Sequence, residues 1–478
     1  MLETFTKEIV ADLETPVSTY LKLCKNSDNP SFLLESVTGG ENVARYSFIG
    51  LEPSQAFVIN GEKIKIHTGP NLDEIKTVHD DPMKILRQSL APYQIINMTN
   101  LPRLVGGLVG YLNYDAVRFF EPSVDLPLHE LPDGIFLLCD TMIAFDHTRG
   151  QVVAITYADN ASPDHKNLAI QRLNKIESQL ALPLSYESKS THSELETEQS
   201  HSQSDFEKMV SHAKKHIMNG DILQVVLSQK FKRKTSVPPF SIYRELRRIN
   251  PSPYMFYFDF GKLHSENFQL IGASPEVHVR MENNRAILRP IAGTRPRGDS
   301  KEKDIELATE LLADEKERAE HVMLIDLARN DLGRVCNYGT VQITEMMKVE
   351  LYSHVMHIVS QVEGNVRENM DAFDLLAATF PAGTVSGAPK IRAMQIIANL
   401  EQNARGPYAG IVGYIGFDGS MDTCIALRTL YVQNQWITAQ AGAGIVADSE
   451  PYNEYKETLD KLKAILLAVE QSESKNNK

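Results

Sequence analysis

The chain has only four cysteines, Cys24, Cys139, Cys336 and Cys424, far apart and with no CxxC spacing among them. Neither a disulfide framework nor a zinc site is indicated, and the four read as small core residues. None sits in a nucleophile-elbow context such as GxCxG, so the chain carries no Cys-His-Glu glutaminase signature. Basic charge is also short: 49 Lys and Arg stand against 62 Asp and Glu, a net charge of −13. That balance argues against nucleic acid or an anionic membrane as partner, so any anionic ligand needs a local basic pocket. No apolar run approaches the ~20 residues of a membrane span. The first residues, MLETFTKEIV, lack a basic region followed by an apolar stretch, and a cytoplasmic protein is expected.

What is present describes a soluble globular protein: 42% hydrophobic and 23% charged residues over 478 positions, enough for two domains or one large composite one. One stretch, residues 184–204 (LSYESKSTHSELETEQSHSQS), is nearly devoid of apolar side chains and reads as a linker. It separates an N-terminal region, 1–183, from a C-terminal region, 205–470, with a polar tail at 471–478. In the N-terminal region, β-like runs at 32–34, 56–59, 63–67, 135–139 and 151–157 are separated by turn signals such as Gly39-Gly40 and Asn60-Gly61, and helical patterns cover 81–90 and 161–180. The C-terminal region is expected to open on a helix at 204–219, with Ser204 as N-cap and Glu207 completing a capping box. Strands follow at 221–230, 254–260, 268–274 and 277–281, then one long helix at 304–328. Further strands at 339–351, 354–363, 409–417 and 436–441 alternate with helices near 372–379, 389–400 and 451–470. The pattern is α+β, with sheets packed on each other and helices outside.

Several stretches carry chemistry. PIAGTRPRG (290–298) combines glycines, which let a ligand approach the backbone, with arginines that offer planar donor forks; a solvated, acid-paired turn reads the same way. Glu317 and Glu320 on the long helix, and Glu454 and Glu457 on the last one, each stand three apart and so share a helix face. Two such faces would suit a hard cation, yet the same spacing is common on solvated helices, and both readings stay open. Leu459, Leu462, Ile465, Leu466 and Val469 form the apolar stripe that would anchor the last helix. Lys461 follows Glu457 by four. Gly442 and Gly444 are expected in a loop entering that helix, where free amides favour an anion. GTVSGAPK (383–390) lacks the GK[ST] of a nucleotide loop. His354 and His357 face opposite sides of a strand and cannot share a metal; one is a candidate for proton transfer.

Taken together, GASPE (272–276), PIAGTRPRG, DEKERAEHVMLIDLARNDLGRV (314–335), FPAGTVSGAPK (380–390), GPYAGIVGYIG (406–416), ALRT (426–429) and AGAGIVADSEPYNEYKET (441–458) resemble the chorismate-utilising enzymes, most specifically their anthranilate synthase component I branch. FLLESVTGGENVARYSFIG (32–50) extends the resemblance to nearly the whole chain. It implies two large antiparallel β-sheets packed as a sandwich with helices outside. It also implies conversion of chorismate and ammonia to anthranilate and pyruvate, the first step of tryptophan biosynthesis. Mg²⁺ would be held by Glu320 and Glu457 with Glu317 and Glu454 beside them. Glu276 matches the general acid, and His357 is the candidate for the elimination step. Ala292, Gly293, Thr294, Thr384, Tyr408, Arg428, Gly442, Ala443, Gly444 and Lys461 would position the substrate. Ala292 stands where the resembling aminodeoxychorismate synthases carry a nucleophilic lysine, and Gln224 where water-adding relatives carry one. Their absence favours ammonia as nucleophile, delivered by a separate glutamine amidotransferase subunit, component II. Glu35, Ser36, Pro253, Tyr254 and Met255 match the segments that form an L-tryptophan feedback site. The readings set against this one are an aminodeoxychorismate synthase component I and a non-catalytic aromatic-acid sensor.

Overall fold

The computed structural model describes residues 2–24, 29–37, 45–96, 101–127, 130–160, 162–184, 197–264, 267–352 and 355–474. Most of the expected linker, the Gly39-Gly40 turn and His354 lie outside them.

Two sheets of 13 and 12 strands build the molecule, and each draws strands from both ends of the chain. In the larger, Tyr254–Asp259 pairs antiparallel with Ser31–Glu35, setting Met255 opposite Glu35. In the smaller, Ile411–Gly416 pairs with Gly107–Leu112. Pairing is antiparallel throughout apart from the short contact of Leu2–Val10 with Ile95–Ile96. At the second seam the backbones approach so closely that a Cβ on Gly107, whose φ is +144°, would lie 2.2 Å from the Ile415 carbonyl oxygen. Gly107→Ala is therefore expected to destabilise the fold by about 3 kcal/mol, from overpacking against backbone that cannot yield. A lowered Tm checks this, and a wild-type Tm contradicts it.

Between the sheets lies a core rich in aromatic rings. Phe260 stacks on Phe258 at 5.2 Å and lies 5.5 Å from Tyr111 of the other sheet, tying the layers together. Helices cover the outside. The last, Pro451–Ser474, packs on strand Trp436–Ile445 and on helices Pro239–Ile249 and Gln203–Met218. Its Leu462, Ile465 and Val469 are no more than 1% exposed, each contributing about 1.5–3 kcal/mol of burial. All four cysteines are buried and free. Among the described residues, no helix is long and apolar enough to cross a membrane.

Five local expectations are corrected. The helix expected at 304–328 is two, Lys301–Ala313 and Glu315–Gly333, because Asp314 leaves the helical region (ψ 110°) and its carboxylate caps the N–H groups of Lys316 and Glu317. Helix Gln203–Met218 begins at Ser202, whose hydroxyl accepts from the Asp205 N–H, rather than at Ser204. PIAGTRP is a strand, Ile291–Pro296, with a register shift at Gly293 (φ +64°), rather than a turn, although its arginines are acid-paired as that reading expects: Arg295 with Asp314 and Glu317, and Arg297 with Asp304. Gly442 and Gly444 belong to strand Trp436–Ile445 rather than to a loop. Helix continues to Ser474, into the stretch expected as tail. Helix Pro239–Ile249 and strands Leu2–Val10, Tyr46–Gly50, Gly107–Leu112 and Thr141–Asp146 were not anticipated.

Candidate active site

A cleft with about 390 Å³ of water-accessible space, a size suited to a small organic ligand, opens where the two sheets part. Its walls bring together Glu276, His357, Ala292, Thr294, Thr384, Tyr408, Arg428, Gly442, Gly444 and Lys461, residues that the sequence scatters over more than a third of its length. Ala443 turns away into a hydrophobic cluster at 0% exposure. Gln224 and Gly293 stand behind the wall rather than in it: a Cβ on Gly444 would lie 2.8 Å from Gln224 Nε2, and one on Gly293 3.3 Å from Glu317 Oε2. Gly442 is required for a similar reason, since its Cβ would lie 2.6 Å from the Tyr408 hydroxyl.

Burial tunes several of the ionisable groups in the cleft. Burial pushes the Glu276 carboxyl up to about 7, against the opposing pull of the Thr384 hydroxyl and Lys461. Burial also lowers the pKa of His357, so its neutral form prevails. His357 Nδ1 lies 2.9 Å from the Gly293 carbonyl oxygen. A carbonyl can only accept, so Nδ1 carries the proton and Nε2 keeps the lone pair. Arg428 has a left-handed backbone (φ +47°) and donates to Asn250 Oδ1 at 3.4 Å. Burial lowers its pKa and, among the described residues, no carboxylate pairs with it, which makes it ready for an anion. Lys461 is engaged, with Glu457 Oε1 at 2.6 Å and the Gly442 carbonyl at 3.0 Å.

The acidic helix faces meet electrostatically but not as a finished metal cage. Glu317 and Glu320 lie in the first turns of helix Glu315–Gly333, not mid-helix, and Glu317 pairs with Arg295 at 3.2 Å. Burial and then the neighbouring charge of Glu317 raise the Glu320 pKa, with Glu454 adding to it. Burial raises Glu454 as well, with Glu457 contributing. Among the described residues no three carboxylate, imidazole or thiol groups are gathered around one point. The like-charge crowding is what a divalent cation relieves, so the donor set fits a hard cation that would draw Glu457 from Lys461.

A second, smaller cavity contains Glu35, Ser36, Pro253, Tyr254 and Met255 together. The Ser36 hydroxyl is buried without a partner among the described residues. Glu35 is held by the Arg247 guanidinium at 2.8 and 3.0 Å and by the Tyr243 hydroxyl at 2.5 Å. The sequence motifs did not point to Arg103, Arg280 and Asp422 in this cavity, or to Asn250, Tyr352 and Gln440 in the cleft. Gln440 adjoins the stretch 441–458 already singled out, Asn250 stands three residues before Pro253 and Tyr352 two before His354; the others carried no local signal.

The chorismate binding enzyme family profile matches residues 29–467. Anthranilate synthase component 1 of Synechocystis is 46% identical, covering 97% of this chain and 95% of that protein. The corresponding protein of Aquifex aeolicus is 44% identical over 98% and 94%. A probable anthranilate synthase component 1 of Schizosaccharomyces pombe is 43% identical over 97% and 92%. Among solved structures, anthranilate synthase component I from Streptococcus pneumoniae superposes with a TM-score of 0.78 at 35% identity, covering 96% of this chain and 98% of that one. The Escherichia coli isochorismate synthase MenF, 18% identical with a TM-score of 0.72, shares the fold. With a profile match over most of its length and relatives this similar end to end, the chain belongs to the chorismate binding enzyme family.

Proposed function

We propose that the chain is the synthase component that converts chorismate and ammonia to anthranilate and pyruvate, in the tryptophan pathway. The observation that carries this reading is the placing of Glu276, a buried carboxyl whose pKa burial pushes up to about 7, in the same cleft as Arg428. Chorismate is a dicarboxylate, and Arg428, Lys461, Tyr408, Thr384 and backbone amides beside Gly444 supply donors for it. Ammonia adds at C2 while Glu276 gives its proton to the departing C4 hydroxyl, which leaves as water. The new C2 ammonium gives up a proton that restores Glu276, His357 Nε2 takes the C2 proton, the C3–O bond breaks so that enolpyruvate leaves and takes up that proton as pyruvate, and the ring becomes aromatic. Ala292 offers no side-chain nucleophile for a covalent adduct on the ring, so ammonia adds to it directly. Glu320, Glu457, Glu317 and Glu454 would hold Mg²⁺, which when bound screens the four carboxylates and draws electron density from the substrate's ring carboxylate.

Ammonia is supplied by a partner glutaminase, component II, since this chain carries no such signature. Purified alone with chorismate, Mg²⁺ and an ammonium salt, it should produce anthranilate fluorescence, whereas glutamine in place of ammonium should give little. Accumulation of aminodeoxychorismate instead would favour the sibling activity, and an unchanged substrate would favour a sensor.

We also propose L-tryptophan as an inhibitor in the smaller cavity, where an apolar slot rimmed by Ser36 suits an indole and its amino-acid head. Ser36→Ala should weaken inhibition about tenfold, since a buried hydroxyl contact is lost. Unchanged tryptophan sensitivity would count against the assignment.

A further inference from the structure

Away from the cleft, strands and helices of the N-terminal region surround a cavity of about 620 Å³ that shares no lining residue with either site described above. One wall is a face of helix Pro163–Leu180, where His165, Leu168, Ala169 and Arg172 recur at three- and four-residue intervals. Asp140 joins from the tight turn between strands Gly134–Cys139 and Thr141–Asp146. Its neighbours Cys139 and Thr141 are only 0% and 3% exposed, whereas Asp140 keeps accessible surface. Two rings of the lining are fixed in place. Tyr93 stacks on Phe417 with centroids 4.1 Å apart, and Tyr157, whose hydroxyl donates to the Val105 carbonyl at 2.7 Å, meets Phe417 edge-on.

The charges here are opposed but unpaired. Burial raises the pKa of Asp140, and the positive charge of Arg172 is the largest influence pulling it down. The guanidinium thus lies near the carboxyl without forming an ion pair, and among the described residues Arg172 donates no hydrogen bond. Asp140 Oδ1 accepts a long bond, 3.5 Å, from the Thr141 hydroxyl. Asp159 adds a second carboxylate to the lining. An anion alone would meet these carboxylates, and a cation alone would leave Arg172 unused. A molecule carrying both charges satisfies both, and the fixed rings suit an apolar remainder. We propose that this cavity binds a zwitterionic amino acid with an apolar side chain, its carboxylate on Arg172, its ammonium on Asp140 and its side chain against Tyr93 and Tyr157.

Calorimetric titration of L-phenylalanine into the full chain tests this, with 3-phenylpropionate and phenethylamine as probes that each lack one charge. L-Phenylalanine should bind saturably and each half-charged probe at least roughly tenfold more weakly, the loss of one charge-assisted hydrogen bond. Asp140→Asn and Arg172→Met should each weaken L-phenylalanine binding by a similar factor, while Ser36→Ala, in the smaller cavity, should not. Arg172 stands on an exposed helix face, so Arg172→Met carries the test if Asp140→Asn does not fold. The proposal is overturned by no saturable binding, by a half-charged probe that binds as well as the amino acid, by unaltered binding in either folded variant, or by loss of binding in Ser36→Ala.

Discussion

Glu276→Gln should lower turnover of chorismate by roughly 10²- to 10⁴-fold, the contribution expected of a positioned general acid. The pH profile distinguishes this from a packing defect. A carboxyl with an ordinary pKa of 4.5 would be only about 0.3% protonated at pH 7, too little to serve as an acid. With the Glu276 pKa raised to about 7, the proton is present below that pH and lost above it. The kcat/KM for chorismate in the wild-type enzyme should therefore fall as pH rises through about 7, and this limb should vanish in the glutamine variant. A variant with near-wild-type kcat, or one that keeps the same limb, would assign the acid elsewhere.

Much of this site was legible because its parts lie in short motifs whose residue types are unusual for their setting. GASPE puts a carboxylate at a strand end, and the glycines of AGAG mark places where a Cβ would strike Tyr408 or Gln224. The stripe from Leu459 to Val469 declared the last helix through its period alone. Relations across long separations were not legible. Ser31–Glu35 joins Tyr254–Asp259 in one sheet through hydrogen bonds between backbones, which no side-chain pattern announces. The break at Asp314 was hidden because DEKERAE reads as uninterrupted helix former, while the capping bonds that stop one helix and start the next are geometric.

The second large effect concerns the acidic helix faces. Removing divalent cations should reduce turnover by roughly 10²-fold or more, since a Lewis acid supplies several kcal/mol of charge stabilisation, and added Mg²⁺ should restore it. Glu457→Gln should raise the Mg²⁺ concentration needed for half-maximal activity by one to two orders of magnitude, at least the loss seen when a metal's supporting groups are changed. It also leaves Lys461 without its partner at 2.6 Å, so the KM for chorismate reports separately on that lysine. Activity that needs no cation, or a Glu457→Gln enzyme with an unaltered Mg²⁺ requirement, would mean that the four glutamates serve another purpose.

On the proposed chemistry, a cation would make the acidic helix faces of Glu317, Glu320, Glu454 and Glu457 hospitable to a dianion. Calorimetric titration of chorismate into the inactive Glu276→Gln protein isolates that step from catalysis. The expected result is saturable binding with Mg²⁺ and an affinity at least roughly tenfold weaker after chelation, a difference of about 1.4 kcal/mol; equal affinity with and without the cation would contradict it.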